Sequence, residues 1–134
     1  MKAFHGTWRL VSGRANDADG RLALLVSDGL LQYTASGLVA AQCVISPESP
    51  DPRMVAALGG YIAYYGTYTV DEANRSVGHA VRGSNVPGYV GMVLTRGYAF
   101  VGDRLTLYAQ LADQADVGAQ ARAEMVWERV VEPT

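Results

Sequence analysis

This sequence predicts an all-β chain closed into an eight-stranded antiparallel up-and-down barrel, and three observations carry the prediction. Apolar and polar residues alternate with a period of two along most of the chain. Clusters of Gly, Pro, Asn, Asp and Ser punctuate the alternating runs. Eight strands joined largely by short turns would leave two bare edges as an open sheet, and closure removes both. At 134 residues with 49% apolar content, the chain has the material for one core, so residues 1–134 read as a single domain.

The strands follow in order. Residues 7–12 (TWRLVS) place Trp8 and Leu10 on one face, and NDADG supplies a turn at Asn16, Asp19 and Gly20. Residues 30–34 and 38–46 flank Ala35-Ser36-Gly37, whose glycine can take the positive φ of a bulged hairpin. Pro47, Pro50 and Pro52 then interrupt the pattern. Asp51 can cap and Pro52 can open a short helix over 51–58, stopped at Gly59. Four further strands are expected at 61–70, 76–84, 92–101 and 104–109. They are joined by DEANR, by NVPGYVG and by Gly102-Asp103. The last strand is 121–130, reached through a polar, Ala-rich connection over 110–120 that could also be helical.

Composition excludes several functions. The net charge is −2, with 11 basic and 13 acidic residues and no basic cluster, so neither nucleic acid nor an anionic membrane is an expected partner. The single cysteine, Cys43, has no partner for an internal disulfide and no His or Cys at metal-ligand spacing; no metal site is expected. Asp17-Ala18-Asp19-Gly20 lacks the remaining ligands of a calcium loop and reads as a turn. GxGxxG, P-loop, GxSxG and HExxH patterns are missing, and no cofactor is expected. MKAFHGTWRLVSG carries no apolar run of the length a secretory signal needs, which makes the cytoplasm the expected compartment. Asn74-Arg75-Ser76 matches a glycosylation acceptor but reads as a turn.

Several stretches together resemble the bacterial lipocalin-like domain family. They are Gly6-Thr7-Trp8-Arg9-Leu10-Val11-Ser12, Gly37 after Tyr33, and Tyr61-Ile62-Ala63-Tyr64-Tyr65-Gly66-Thr67-Tyr68. Gly102-Asp103-Arg104-Leu105-Thr106-Leu107 and the closing Val126-Trp127-Glu128-Arg129-Val130 complete the set. The resemblance runs from about residue 5 to 130. It implies an eight-stranded barrel with an interior cavity for a small hydrophobic molecule, and a Trp8 that packs at the closed end under Arg129. Strand parity then turns Leu10, Met125 and Trp127 inward as well. His79, Ser84, Pro87, Tyr89, Gly91 and Arg96 also sit at places matching the family, although Gly88 and Tyr89 stand where it would have Asn and Trp.

The candidate ligand contacts are His79, Tyr65, Tyr61, Arg96, Tyr33, Gln42 and Trp127. By parity Val77, His79, Val81 and Gly83 share a face, and Met92, Leu94, Arg96 and Tyr98 share another; both faces are mostly apolar. His79 reads either as a hydrogen-bonded histidine tying strands together or as a ligand contact able to transfer a proton. Tyr61, Ala63 and Tyr65 form one face of their strand and Tyr64 and Tyr68 the other; a tyrosine suits both a barrel core and a pocket.

Two functions are consistent with these residues. One is a module that holds a small apolar or amphipathic ligand inside the barrel. The alternative is a cofactor-independent isomerase or cyclase acting on a natural-product, polyketide-like intermediate, in which the cavity folds the substrate and Tyr, His or Arg stabilise charge. No catalytic residue is assigned for it. A lumen filled by its own side chains is a third reading. Ala40, Ala63, Gly83, Ala121 and Ala123 weigh against it if they face inward, and a homodimer is compatible with all three.

Overall fold

The computed structural model describes residues 2–16, 19–50, 59–110 and 122–131. After a single 3-10 turn at Lys2–Phe4 come eight strands: β1 (Gly6–Asn16), β2 (Leu22–Tyr33), β3 (Leu38–Ile45), β4 (Tyr61–Asp71), β5 (Ser76–Ser84), β6 (Val93–Val101), β7 (Arg104–Gln110) and β8 (Arg122–Arg129). Each pairs antiparallel with its neighbours in sequence, and β1 pairs with β8, which closes the barrel. The predicted fold class stands. The short helix expected over 51–58 lies outside the described residues, as does the connection over 110–120 except Gln110, which ends β7.

Up-and-down order puts the passages β1 to β2, β3 to β4, β5 to β6 and β7 to β8 at one end, called the mouth below. The other end, the base, carries among the described residues the short turns 34–37, 72–75 and 102–103, the N-terminal 3-10 turn and the end of β8. At the first of these turns Gly37 takes φ 91°, a conformation that a side chain resists, and Leu38 N donates to Thr34 Oγ1 at 3.0 Å.

β1 and β2 are longer than the expected 7–12 and 30–34, because each changes phase midway. The register slips between Leu10 and Ser12 on β1 against β8, and between Val26 and Asp28 on β2 against β3. Trp8 and Leu10 face inward before the slip and Gly13 and Ala15 after it, so one strict alternation cannot describe the strand. On β2, Leu24 and Val26 face inward, then Gly29, Leu31 and Tyr33. The inward rows form one core that includes Leu31, Val39, Val77, Leu94 and Leu105, each at most 2% exposed.

The base is closed by aromatic rings. Phe4 packs edge-on against Tyr33, Tyr98 and Phe100, with centroids 5.1, 4.9 and 4.9 Å away. Trp8 is fully buried and its Nε1–H donates to Phe4 O at 3.0 Å, tying β1 to the 3-10 turn. The Arg129 guanidinium lies 4.2 Å from the Trp8 ring centroid. It also donates to His5 O and Ala3 O, each at 2.6 Å. The expected Trp8–Arg129 pair is therefore both a cation–π contact and a two-pronged clamp on the N-terminal backbone.

Candidate functional site

Above the aromatic base, three strands contribute to one hydrogen-bonded chain. His79 is placed inward by its pairing with Leu94 and is 0% exposed. Its Nε2 lies 2.7 Å from Tyr33 Oη on β2, and its Nδ1 lies 2.6 Å from Tyr64 Oη on β4. Burial, followed by the Arg96 charge, lowers the His79 pKa from 6.5 to about 3, so the ring is neutral at physiological pH. A neutral imidazole donates through one nitrogen and accepts through the other.

The ring has two tautomers, and the one protonated on Nδ1 gives the Tyr33 hydroxyl an acceptor. Tyr33 is 1% exposed and makes no other hydrogen bond among the described residues, so its O–H must donate to Nε2 or remain buried without an acceptor. Nδ1 then carries the hydrogen and donates to Tyr64 Oη. The Tyr64 hydroxyl is left with its own proton free to donate to another group. Tyr64 faces inward opposite Ala41; the residue as a whole is half-buried, while its hydroxyl end is buried against His79. Burial pushes the Tyr64 phenol up to about 12 and the Tyr33 phenol well above its ordinary value. Arg96 opposes both shifts, but both remain phenols at neutral pH.

Arg96 completes the group. Its pairing with Val77 and its place between Leu94 and Tyr98 aim it inward, half-buried. It is close enough to bias the ionisation of His79, Tyr33 and Tyr64, yet among the described residues it makes no hydrogen bond or ion pair. The Arg96 cation and the Tyr64 phenol thus lie within electrostatic reach of each other on the inner wall, and among the described residues Arg96 has no acidic partner. Tyr89, from the connection after β5, sets its ring against Tyr64 at 6.2 Å. Ser84 and Asn85 hold that connection to β4: Ser84 Oγ donates to Ala63 O at 2.8 Å, and Asn85 Oδ1 accepts from Ala63 N at 2.9 Å.

Of the seven sequence-predicted contacts, the structure gathers His79, Tyr33 and Arg96 in this group and places Trp127 inward on β8, 2% exposed. Tyr65, Tyr61 and Gln42 are corrected: they stand on the outer face, with Tyr65 60% and Tyr61 38% exposed. The reason is register. β3 sets Ala40 opposite Tyr65 and Gln42 opposite Ala63 while Ala41 and Cys43 point inward, which turns the Tyr64 and Tyr68 face to the lumen. Tyr61 Oη donates to Gln42 Oε1 at 2.9 Å on that outer surface.

Gly83 is corrected too. A slip between Tyr65 and Gly66 sets it beneath the outward Tyr65 ring rather than in line with His79. Ala40 and Ala63 share the outer face and Ala121 lies outside the described residues, so Ala123 is the one member of that small-residue set seen facing inward. Tyr64 was missed as a contact because parity separates the two tyrosine faces without saying which is inside. The buried alternation of β3 settles it. Cys43 also faces inward, and burial raises its thiol to about 11, so it stays protonated. Among the described residues no three His, Cys, Asp or Glu side chains are grouped to hold a metal.

Comparisons with known proteins agree with the architecture. A lipocalin-like protein from Bacteroides uniformis ATCC 8492 has a similar structure at 13% identity and TM-score 0.51, over 96% of this chain and 99% of its own. A redesigned β-barrel is similar at 10% identity and TM-score 0.51, over 97% of this chain and 94% of its own. No curated protein matches the chain. The lipocalin-like domain model matches residues 5–130, and the chain belongs to that family.

Proposed function

We propose that the barrel binds a small amphipathic molecule, with an apolar body in a lumenal cavity and an acidic or carbonyl oxygen between the Tyr64 hydroxyl and the Arg96 guanidinium. The observation that carries this reading is Arg96, an inward, half-buried cation without an acidic partner among the described residues. An anionic or strongly polar oxygen from a ligand supplies what the protein does not. The half-buried state of the inward Ile62, Tyr64, Ala123 and Met125 supports space beside it toward the mouth. His79 acts by position: it accepts from Tyr33, donates to Tyr64, and so frees the Tyr64 proton for the ligand.

Titration calorimetry with dodecanoate and with dodecanol tests the reading. The acid binds the wild type more tightly than the alcohol, by about tenfold for one charge-assisted hydrogen bond, and Arg96→Met removes that preference. Equal binding of acid and alcohol to the wild type sinks it.

One observation favours the isomerase or cyclase alternative. Arg96 lies within electrostatic reach of the Tyr64 phenol, and two such donors brought onto one oxygen would also stabilise an enolate formed during ring closure. In that case Tyr64 and Arg96 carry the chemistry. His79, with its pKa near 3, is too weak a base to take a proton at neutral pH. Incubating the pure protein with a linear polyketide and following products by mass spectrometry and chromatography decides between them; unchanged substrate removes the enzyme.

A further inference from the structure

A second polar group lies inside the barrel, on β8. Trp127 faces inward on β8, opposite Leu10 on one side and Leu105 on the other, and is 2% exposed. Its Nε1–H is buried without a hydrogen-bond partner, the sole side-chain polar atom of the described residues in that condition. The other tryptophan in the chain is satisfied, its Nε1–H donating to Phe4 O at 3.0 Å. The β1–β8 register slips between Leu10 and Ser12 beside it, and Trp127 Nε1 still finds no backbone acceptor.

The fold makes room for this indole. β2 carries Gly29 in the same row, and a Cβ built there would lie 3.4 Å from Trp127 Cη2 and 3.3 Å from Cys43 Sγ. The missing side chain lets the ring reach across β1 toward β2. Leu10, Leu105, Met125 and Cys43 make the surroundings apolar, and the thiol is held protonated. An isolated N–H among such groups suits a neutral acceptor, because a charged one would lose its hydration there without a counter-ion.

We propose that Trp127 Nε1 is a ligand hydrogen-bond donor for a neutral oxygen, a ketone, ester or ether. The bound molecule is then an oxygenated amphiphile with an acidic or carbonyl head at Tyr64 and Arg96 and a second, uncharged oxygen along its apolar body. The head assignment rests on the function proposed above; the indole site rests on its own unpartnered N–H.

The test uses dodecanoate, a series of keto-dodecanoates with the ketone moved one carbon at a time, and cyclohexanone, which has no acid group. In a spectrum of the 15N-labelled protein, cyclohexanone is expected to move the Trp127 indole N–H resonance downfield and leave that of Trp8 in place. One keto-dodecanoate is expected to bind about tenfold tighter than dodecanoate, one neutral hydrogen bond's worth, and this ratio falls to about one in Trp127→Phe. A Trp127 resonance that no ketone moves, or a ketone advantage that survives Trp127→Phe, overturns the indole site. Should dodecanoate fail to bind while cyclohexanone still moves the Trp127 resonance, the reading of Arg96 fails and the indole site stands.

Discussion

The base and the middle of the lumen both hold an arginine among aromatic rings, and they treat it in opposite ways. Arg129 is fully occupied: its guanidinium lies on Trp8 and donates to the carbonyls of Ala3 and His5. Arg96 has aromatic hydroxyls near it and no hydrogen bond among the described residues. The same contrast separates the two tryptophans, Trp8 bonded to Phe4 and Trp127 unpartnered. A region whose polar groups are all satisfied from within contributes stability. One with donors left over is arranged for something else to complete it.

The difference can be broken at either place. Trp8→Ala should have the largest effect on stability, about 3–5 kcal/mol in denaturant unfolding, since a fully buried ring at the centre of the base is lost. Arg129→Met should cost roughly 2 kcal/mol by the same measurement, for the cation–π contact and two charged hydrogen bonds. A loss below about 0.5 kcal/mol would mean the clamp is ornamental.

His79→Leu should cost roughly 1–3 kcal/mol at neutral pH, chiefly by orphaning the Tyr33 hydroxyl. Its effect depends on pH with a definite sign. The folded pKa is depressed, so between 6.5 and about 3 the unfolded chain takes up a proton that the native ring refuses. The stabilisation from His79 is therefore present above 6.5 and fades as pH falls, by about 1.4 kcal/mol per pH unit. The gap between wild type and His79→Leu should narrow, close and then reverse over that window in urea titrations; a constant gap would contradict a neutral buried histidine. Arg96→Met should change stability least, within about 0.5 kcal/mol, while abolishing the preference for an acid over an alcohol. A large loss of stability there would show that Arg96 has protein partners after all.

Much of this was legible in the sequence, and the limits have physical causes. Turn chemistry and alternation gave all eight strands, and the resemblance to the lipocalin-like family placed Arg129 over Trp8 in advance, as the structure has it. The phase changes on β1, β2 and β5 were hidden, since an extra residue in a strand leaves no compositional mark when its neighbours are Ser, Asp or Gly. That is why residues 22–29 were not read as strand and why Gly83 was expected in line with His79. The choice between the two tyrosine faces of β4 depended on the register with β3, a long-range fact. The pairing of β4 with β5 sets Tyr68, not Tyr64, opposite His79, so the Tyr64–His79 contact depends on the reach of the tyrosine side chain along the lumen, and nothing local to either residue announces it.

The Arg129 clamp joins residues 126 positions apart, Ala3 and the end of the last strand. On a growing or refolding chain, the first strand must therefore wait for the last before the base can latch. The closing β1–β8 pairing bears the longest loop-closure entropy in the molecule, and topology of this kind folds slowly. Until β8 arrives, the inner faces of β1 to β7 form an open sheet with an exposed apolar side. The residues that seal the barrel thus also set when its lumen first comes into being.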